Sequence, residues 1–364
     1  MPASMKIPLF LIFIIAIFSN PSISLSQGKS QSPHVETDFL LPKTLSICDE
    51  PMPLSNPWVW EMLDREFTIA VWNKAQVFMW LKRAGRYFPY LEQKLAQEKM
   101  PQDIKYLSIA ESSLLSHIKS SKGAVGPWQF LSETAKRNGL RSDKMIDERR
   151  DFERSTEAAL NYLKKLKEMF GTWTLAMAAY NCGENLMKNE IREQQQSDYY
   201  SLKLPNETER CIYRIAAIKI IMENPETFGY RVPEKKIYKP VECDTTSVNI
   251  KKTIHLTDFA KGLGTSLKVI RDLNPKIIDD YLPNGTYNLN TPIGIGAKVQ
   301  EVLKSLSTKS SSLPDTLSSK RYVVQQGDTL SNISRETGIS VTQLKKINNI
   351  EGSIIKPGQI LYLE

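Results

Sequence analysis

Between residues 58 and 224 apolar side chains recur every three to four positions, and glycine and proline fall mainly at the joints between periodic runs. A 3.6-residue period places such side chains on one face of a helix, so the stretch specifies an all-helical domain. At about 170 residues it is long enough to bury a complete core. The spacing predicts amphipathic helices over 58–81 and 87–99 and a helix opened by Pro101. A further helix starts at an N-cap Ser155 and runs through TEAALNYLKKLKEMF, and two more cover 174–180 and 209–222. Leu160, Leu163 and Phe170 mark the buried side of the Ser155 helix, and its lysines the solvated one.

After Pro225 the texture changes. Short β-leaning runs at 247–250, 286–289, 321–324 and 360–363 bracket helical patches, and residues 305–319 are rich in Ser, Thr and Pro, as a linker would be. Two segments overlay without a gap: LTDFAKGLGTSLKVIRDLN (256–274) and LSNISRETGISVTQLKKIN (330–348). Leu256/Leu330, Gly264/Gly338, Ser266/Ser340 and Asn274/Asn348 are identical; Phe259/Ile333, Leu267/Val341, Ile270/Leu344 and Leu273/Ile347 keep apolar character. The chain therefore carries a duplicated module that reads strand, helix, helix, strand, with the shared glycine breaking the chain between helices.

At the start, Lys6 precedes an unbroken apolar run, 7–18, followed by small residues at Ser22, Ser24 and Ser26. Twelve apolar residues are short for a membrane span, and the pattern is that of a cleaved secretory signal over 1–26. Residues 27–56, rich in Ser, Pro and Lys, read as a loosely packed arm. Export places Cys48, Cys182, Cys211 and Cys243 in an oxidising compartment, where four cysteines allow three connectivities that spacing cannot separate. Their spacing fits no zinc motif, and with three histidines to help no metal site is expected. Forty-eight basic against 40 acidic residues give a net charge of +8, which draws the protein to anionic polymers without choosing among them. The basic residues form no aromatic-interleaved groove, so nucleic acid is not an expected partner.

One position breaks the helical rule. Ile104 and Leu107 lie seven and four residues before Glu111, so the apolar stripe of that helix carries a carboxylate. Such a group either pairs with an Arg or Lys and ties helices together, or keeps its proton in an apolar setting and serves as a general acid.

Four blocks around it decide the family. RAGRYFPYLEQKLAQEKMPQDIKYLSIAESS (83–113), KGAVGPWQF (122–130), DERRDFERSTEAALNYLKKLKEMFGTWTLAMAAYNCG (147–183) and LPNET (204–208) together resemble the lytic transglycosylases of bacterial cell walls, in the membrane-bound type D architecture with trailing LysM modules. The resemblance implies an all-α, lysozyme-like catalytic domain of the SLT type over 57–232, then small α+β modules: a degenerate LysM-like copy over 240–300, a linker over 301–320 and a LysM module over 321–364. It implies that Glu111 is the catalytic acid. Ser112, Ser120, Gln129, Tyr180 and Asn181 are implied substrate contacts, and Glu207 an orienting or capping residue beside them. In the terminal module it points to Gly327, Asp328, Thr329 and Leu330, with Ile354 and Ile355 opposite, as glycan contacts. The inner copy has Lys252-Thr253-Ile254-His255 where the Gly-Asp-Thr entry would stand, so its implied role is packing against the catalytic domain. The chain departs from the family pattern at Pro127, Cys182 and Cys211, the last at a position usually held by Tyr. Blocks that approach one site imply a Cys182–Cys211 disulfide, leaving Cys48 and Cys243 to close the domain's ends, with reduced, separated thiols as the alternative.

The resulting expectation is a monomeric, cofactor-free enzyme of the periplasm or cell envelope, with room for outer-membrane association, acting on the glycan strands of peptidoglycan. A hydrolytic muramidase is the alternative within enzymes, with Glu133, Asp143 and Glu207 as the acids on hand to activate water. A wall-binding scaffold that uses only its LysM copies is the alternative outside them.

Overall fold

The computed structural model describes residues 39–308 and 321–363; the expected signal segment, residues 27–38 of the expected arm and most of the expected linker lie outside them. The order begins with a hairpin, β1 (Ser46–Ile47) and β2 (Glu50–Pro51), then α1 (Pro57–Trp72), α2 (Lys74–Gln97), α3 (Lys105–Ser112), α4 (Ser132–Arg137), α5 (Phe152–Phe170), α6 (Trp173–Cys182), α7 (Glu184–Gln194) and α8 (Asn206–Glu223). Over residues 46–52, the hairpin corrects the expectation of a loose arm. Ile47, Cys48 and Met52 are buried, the Cys48 amide donates to Asp103 at 2.7 Å, and Glu50 accepts from the Thr174 amide at 2.9 Å at the start of α6.

The first two helices divide elsewhere than the periodicity indicated. The break falls at Asn73, whose side chain accepts from the Gln76 amide at 3.3 Å and so starts α2, which then runs unbroken past Pro89. Gly85 lies inside it because the 237–238 segment crosses there: a Cβ at Gly85 would sit 2.1 Å from the Ile237 Cγ2. The cap of α5 is Asp151, which accepts from the Arg154 amide at 3.1 Å; Ser155, expected as the cap, is buried one turn further in and donates to the Asp151 carbonyl at 2.6 Å. Helix α6 is buried nearly all round (Leu175 to Ala179 are sealed from solvent), as a helix apolar on every face must be. Helix α8 packs against α1, α3 and α6, and α5 against α6, which brings the C-terminal end of α3 to the middle of the domain.

The inner module pairs β3 (Asp244–Ile250) with β6 (Gly285–Thr291) and β4 (Ile254–His255) with β5 (Tyr281–Leu282), all antiparallel, around α9 (Leu256–Gly262) and α10 (Leu267–Leu273); α11 (Val299–Thr308) packs on α9. The terminal module pairs β7 (Arg321–Val323) with β8 (Ile360–Tyr362) around α12 (Leu330–Thr337) and α13 (Val341–Asn348), with its own core of Val324, Leu330, Ile333, Leu344 and Leu361. The duplication is structural as well as sequential. Asn274 and Asn348 each clasp the last strand of their module through a pair of backbone bonds, Asn274 to Asn290 at 2.7 and 2.9 Å and Asn348 to Tyr362 at 2.8 and 2.7 Å. Ser266 and Ser340 each cap the second helix, and Gly264 and Gly338 each take a left-handed φ, +73° and +74°.

The inner copy is joined to the catalytic domain. Ile146 bridges Ile277 in antiparallel register and enters the module's core, the Asp147 amide donates to the Lys276 carbonyl at 2.8 Å, and the buried Lys276 ammonium meets Asp151 at 2.8 Å. His255, standing where the terminal copy has Thr329, does the same capping work: its Nδ1 accepts from the Thr257 amide at 3.1 Å.

Candidate active site

Helix α3 ends abruptly at Ser113 and Leu114, both left-handed with φ of +56° and +62°. Non-glycine residues hold that conformation only when the surroundings impose it, and α2 supplies the restraint. Trp80 Nε1 donates to the Ser113 hydroxyl at 3.0 Å, Gln76 Nε2 donates to the same hydroxyl, and Arg83 Nη1 donates to the Ser113 carbonyl at 3.1 Å. Glu111 therefore stands on the last turn of a helix whose end is fixed. It opens on a cavity of about 380 Å³ lined by Asn73, Gln76, Met79, Arg83, Leu115 and Ile118 among others. The sequence reading missed Gln76, Trp80 and Ser113; the second serine of the ESS run and Arg83 within the first block were the signals available.

Glu111 is partly buried, and its carboxyl makes no hydrogen bond or ion pair with any described residue. Burial pushes its pKa up to about 7, against the pull of the Arg214 cation and with a smaller push from Glu207. That removes the bland reading of a helix-tying salt bridge: Arg214 is spent elsewhere, its Nη1 on Glu207 at 3.0 Å and its Nε facing Glu66 at 3.6 Å. The Arg214 hydrogen bond in turn holds Glu207 below the usual carboxylate range, so Glu207 is ionised and mostly exposed at the start of α8.

The other residues singled out from sequence divide into groups. Tyr180 stands near Glu111; its hydroxyl donates to the Trp128 carbonyl at 2.8 Å, its ring packs on Phe130 and Tyr162, and burial keeps the phenol protonated. Gln129 takes φ +48° and donates through Nε2 to the Gly126 carbonyl at 2.9 Å, while Asn181 Oδ1 accepts from the Thr208 hydroxyl at 2.8 Å. Ser120 closes the turn before Gly123, its hydroxyl accepting from the Ala124 amide at 3.0 Å. Ser112 is a correction. Although it borders the cavity, it is buried, and its hydroxyl donates to the Pro127 carbonyl at 2.8 Å and accepts from the Leu115 amide at 3.3 Å; it ties α3 to the Trp128 loop and has no hydrogen left for a sugar. Ser120, Gln129, Tyr180, Asn181 and Glu207 do not line the cavity beside α2.

The Gln129 loop is fixed from below. Arg149 grips the buried Asp147 through Nε and Nη2, both at 2.8 Å, and donates through Nη1 to the Gly123 and Phe130 carbonyls at 3.2 and 3.0 Å. Gly126, at φ +86°, lies so close that a Cβ would fall 1.8 Å from the Arg149 carbonyl oxygen. Trp128 is fully buried and donates to Thr156 at 2.9 Å.

All four cysteines are unbridged, which corrects both implied disulfides. Cys182 directs its sulfur to the Gly183 carbonyl at the end of α6, and Cys211 lies sealed within α8. Cys48 is in the hairpin turn against Asp103, while Cys243 leads into the inner module. Burial pushes the Cys182 thiol up to about 11 and those of Cys48 and Cys211 higher still, which leaves them inert. Among the described residues no cluster of His, Cys, Asp and Glu could hold a metal ion.

In the terminal module, Gly327 takes φ +94°, Asp328 Oδ2 accepts from the Gln325 amide at 2.7 Å and from the Tyr322 hydroxyl at 3.0 Å, and Thr329 caps α12. Leu330 is a core residue, which corrects its assignment as a glycan contact; Ile355 packs on that core, while Ile354, 84% exposed, faces water, as do Gly327 and Thr329.

Comparison with known proteins gives matches to separate segments of the chain. Family models match for a transglycosylase SLT domain over residues 89–203, for the LysM-like domain of lytic transglycosylase MltD over 244–308 and for a LysM domain over 322–363. The chain is 30% identical over 300 residues to membrane-bound lytic murein transglycosylase D of Escherichia coli (strain K12), an alignment covering 79% of this chain and 66% of the relative, just under two thirds of the relative's length. It is 52% identical over 44 residues to N-acetylmuramoyl-L-alanine amidase XlyA of Bacillus subtilis (strain 168), covering 12% of this chain and 15% of that one. The crystal structure of the 70 kDa soluble lytic transglycosylase SLT70 of Escherichia coli superposes over 43% of this chain and 27% of that one, with 18% identity and a TM-score of 0.32, too loose a likeness to infer geometry from.

Proposed function

The chain belongs to the lytic transglycosylase family, in the type that carries an SLT domain ahead of LysM modules, and from that premise we propose that it cleaves the β-1,4 bond between N-acetylmuramic acid and N-acetylglucosamine in peptidoglycan without consuming water. The observation that carries the reading is the unpaired Glu111 carboxyl with a pKa of about 7, set on a rigid helix end beside an open cavity. Near neutral pH a large fraction of the protein holds that proton, which it gives to the glycosidic oxygen as the bond breaks. The substrate's acetamido oxygen steadies the cationic C1. Glu111, now ionised, takes the proton of the muramic C6 hydroxyl, whose oxygen closes on C1 to leave a 1,6-anhydro end. The attacking hydroxyl belongs to the same ring, so no second nucleophile has to be positioned.

A hydrolase working through two carboxylates would need a second acid aimed at the same bond. Glu133 pairs with Lys136 on the surface, and Asp143 is engaged by Arg141 and the Met145 and Ile146 amides. Glu207, the carboxylate whose charge reaches Glu111, is bound by Arg214. Each is already committed, which supports the water-free route. The terminal LysM module binds glycan and concentrates the enzyme on its insoluble polymer, and the site of action is the cell envelope.

Mass spectrometry of digested murein tests the reading. Anhydro-muropeptides from the wild type, and none from Glu111→Gln, are expected. Reducing-end muropeptides alone would replace it with hydrolysis, and cleavage surviving in Glu111→Gln, or absent from the wild type, would remove Glu111 from the chemistry.

A further inference from the structure

Glu66, on α1, is 3% exposed, and three guanidinium groups surround it: Arg65 Nη1 at 2.5 Å, Arg210 Nε at 2.7 Å and Arg214 Nε at 3.6 Å. As a stabilising device this would be a poor choice. Well-packed apolar side chains commonly serve as well as a buried ion cluster, because desolvating the charges costs about as much as pairing them returns. Its place in the fold suggests another role. Glu207, Arg210, Cys211 and Arg214 fall three, four and seven residues apart along one face of α8, and the charge at Arg214 acts on Glu111.

An arginine beside a partly buried carboxyl ordinarily takes it as a partner and holds it ionised. That would disable Glu111 as an acid, lowering its pKa by about one to three units. Arg214 is drawn away from it: Nη1 donates to Glu207 and the Nε edge faces Glu66 across 3.6 Å. The two ties are unequal. The Glu207 side chain is 58% exposed, so its 3.0 Å hydrogen bond to Arg214, although the shorter of the two contacts, is open to screening by water and salt. Glu66 is sealed from water, where losing one partner of a charge cluster is costly and the cluster keeps its geometry.

We propose that Glu66 is a positioning residue for the catalytic acid, anchoring the Arg214 guanidinium on the α1–α8 seam and so keeping it from pairing with Glu111. Glu66 touches no reacting atom. The other groups facing Glu111 do not take over this role: Tyr180 of α6 and Cys211 of α8 stay neutral, and Arg83 of α2, which lines the same cavity, is engaged with the Ser113 carbonyl. The proposal rests on the reading of Glu111 as the acid.

The test is the pH dependence of kcat/KM for murein cleavage in wild type, Glu66→Gln, and the double variant Glu66→Gln with Arg214→Gln, each checked for an intact thermal transition. In Glu66→Gln the alkaline limb, where the acid loses its proton, moves down by about one pH unit. The double variant restores it to the wild-type position or above. A limb that stays put while the whole profile drops, or a double variant that keeps the lowered limb, overturns the proposal. Should Glu66→Gln fail to fold, Glu66→Asp carries the test, because it keeps the charge but draws it back from the Arg214 guanidinium: a lowered limb supports the assignment, and an unmoved or raised limb overturns it. Failure of the acid reading would look different, because Glu111→Gln would then still cleave murein.

Discussion

A carboxyl whose pKa is about 7 in the folded chain and near 4.5 when unfolded favours the folded state only while it is protonated. From about pH 4.5 upward the unfolded form releases its proton first, so the stability contributed by Glu111 declines as pH rises toward 7 and is lost above it, by on the order of 2 kcal/mol once the water-facing edge is allowed for. Glu111→Gln is therefore expected to melt like the wild type at pH 5 and several degrees above it at pH 8; calorimetry at the two pH values checks this, and a pH-independent difference would speak against a strained acid. Glu111 was legible because its position on an apolar stripe is a local property of the sequence. The errors at Ser112, Ser155 and the cysteines share one cause. Whether a hydroxyl or thiol is free depends on a partner such as the Pro127 carbonyl or the Asp151 carbonyl, and periodicity does not encode that partner.

Among the elements, the loop over 122–130 is the one on which geometry presses hardest. A methyl group at position 126 meets the Arg149 carbonyl, and the left-handed φ adds strain of its own, so Gly126→Ala is expected to destabilise the domain by about 3 kcal/mol and to lower kcat more than it raises KM. Denaturant titration with steady-state kinetics checks both halves. The helical periodicity located most of the helices but misplaced the break between the first two, because Asn73 ends one helix and starts the next with no glycine or proline to mark the joint. It also missed α7, which buries only Met187 and so carries almost no apolar signal. The hairpin over 46–51 was read as a loose arm because a four-residue ladder gains its burial from the domain it lies on.

At the scale of the whole molecule, the two copies of one module have gone separate ways, and the sequence showed this in the lost Gly-Asp-Thr entry of the inner copy. The inner copy is fastened to the catalytic domain through the buried Lys276–Asp151 pair and the Ile146–Ile277 bridge. Lys276→Ala removes a buried ammonium from the partly buried Asp151 carboxylate, which keeps its cap bond to the Arg154 amide, and is expected to cost about 1–3 kcal/mol, lowering the melting temperature of catalytic domain and inner module together; two separate transitions would show that the copy is merely tethered. The terminal copy keeps a core of its own and touches the rest through Arg321 with Asp279 at 3.1 Å and Lys144 over the Tyr362 ring. Ile354→Glu on its surface is expected to weaken sedimentation with insoluble murein several-fold while the melting temperature is unchanged. The central feature of the molecule is a single carboxyl whose pKa is raised by burial, without a hydrogen-bond or ion-pair partner among the described residues, at the end of a fixed helix. Its most direct measurement is the ¹³C NMR titration of the Glu111 side-chain carboxyl in the full chain, assigned by its loss in Glu111→Gln. A midpoint near 7 is the expected result, and a midpoint near 4.5 would contradict the account.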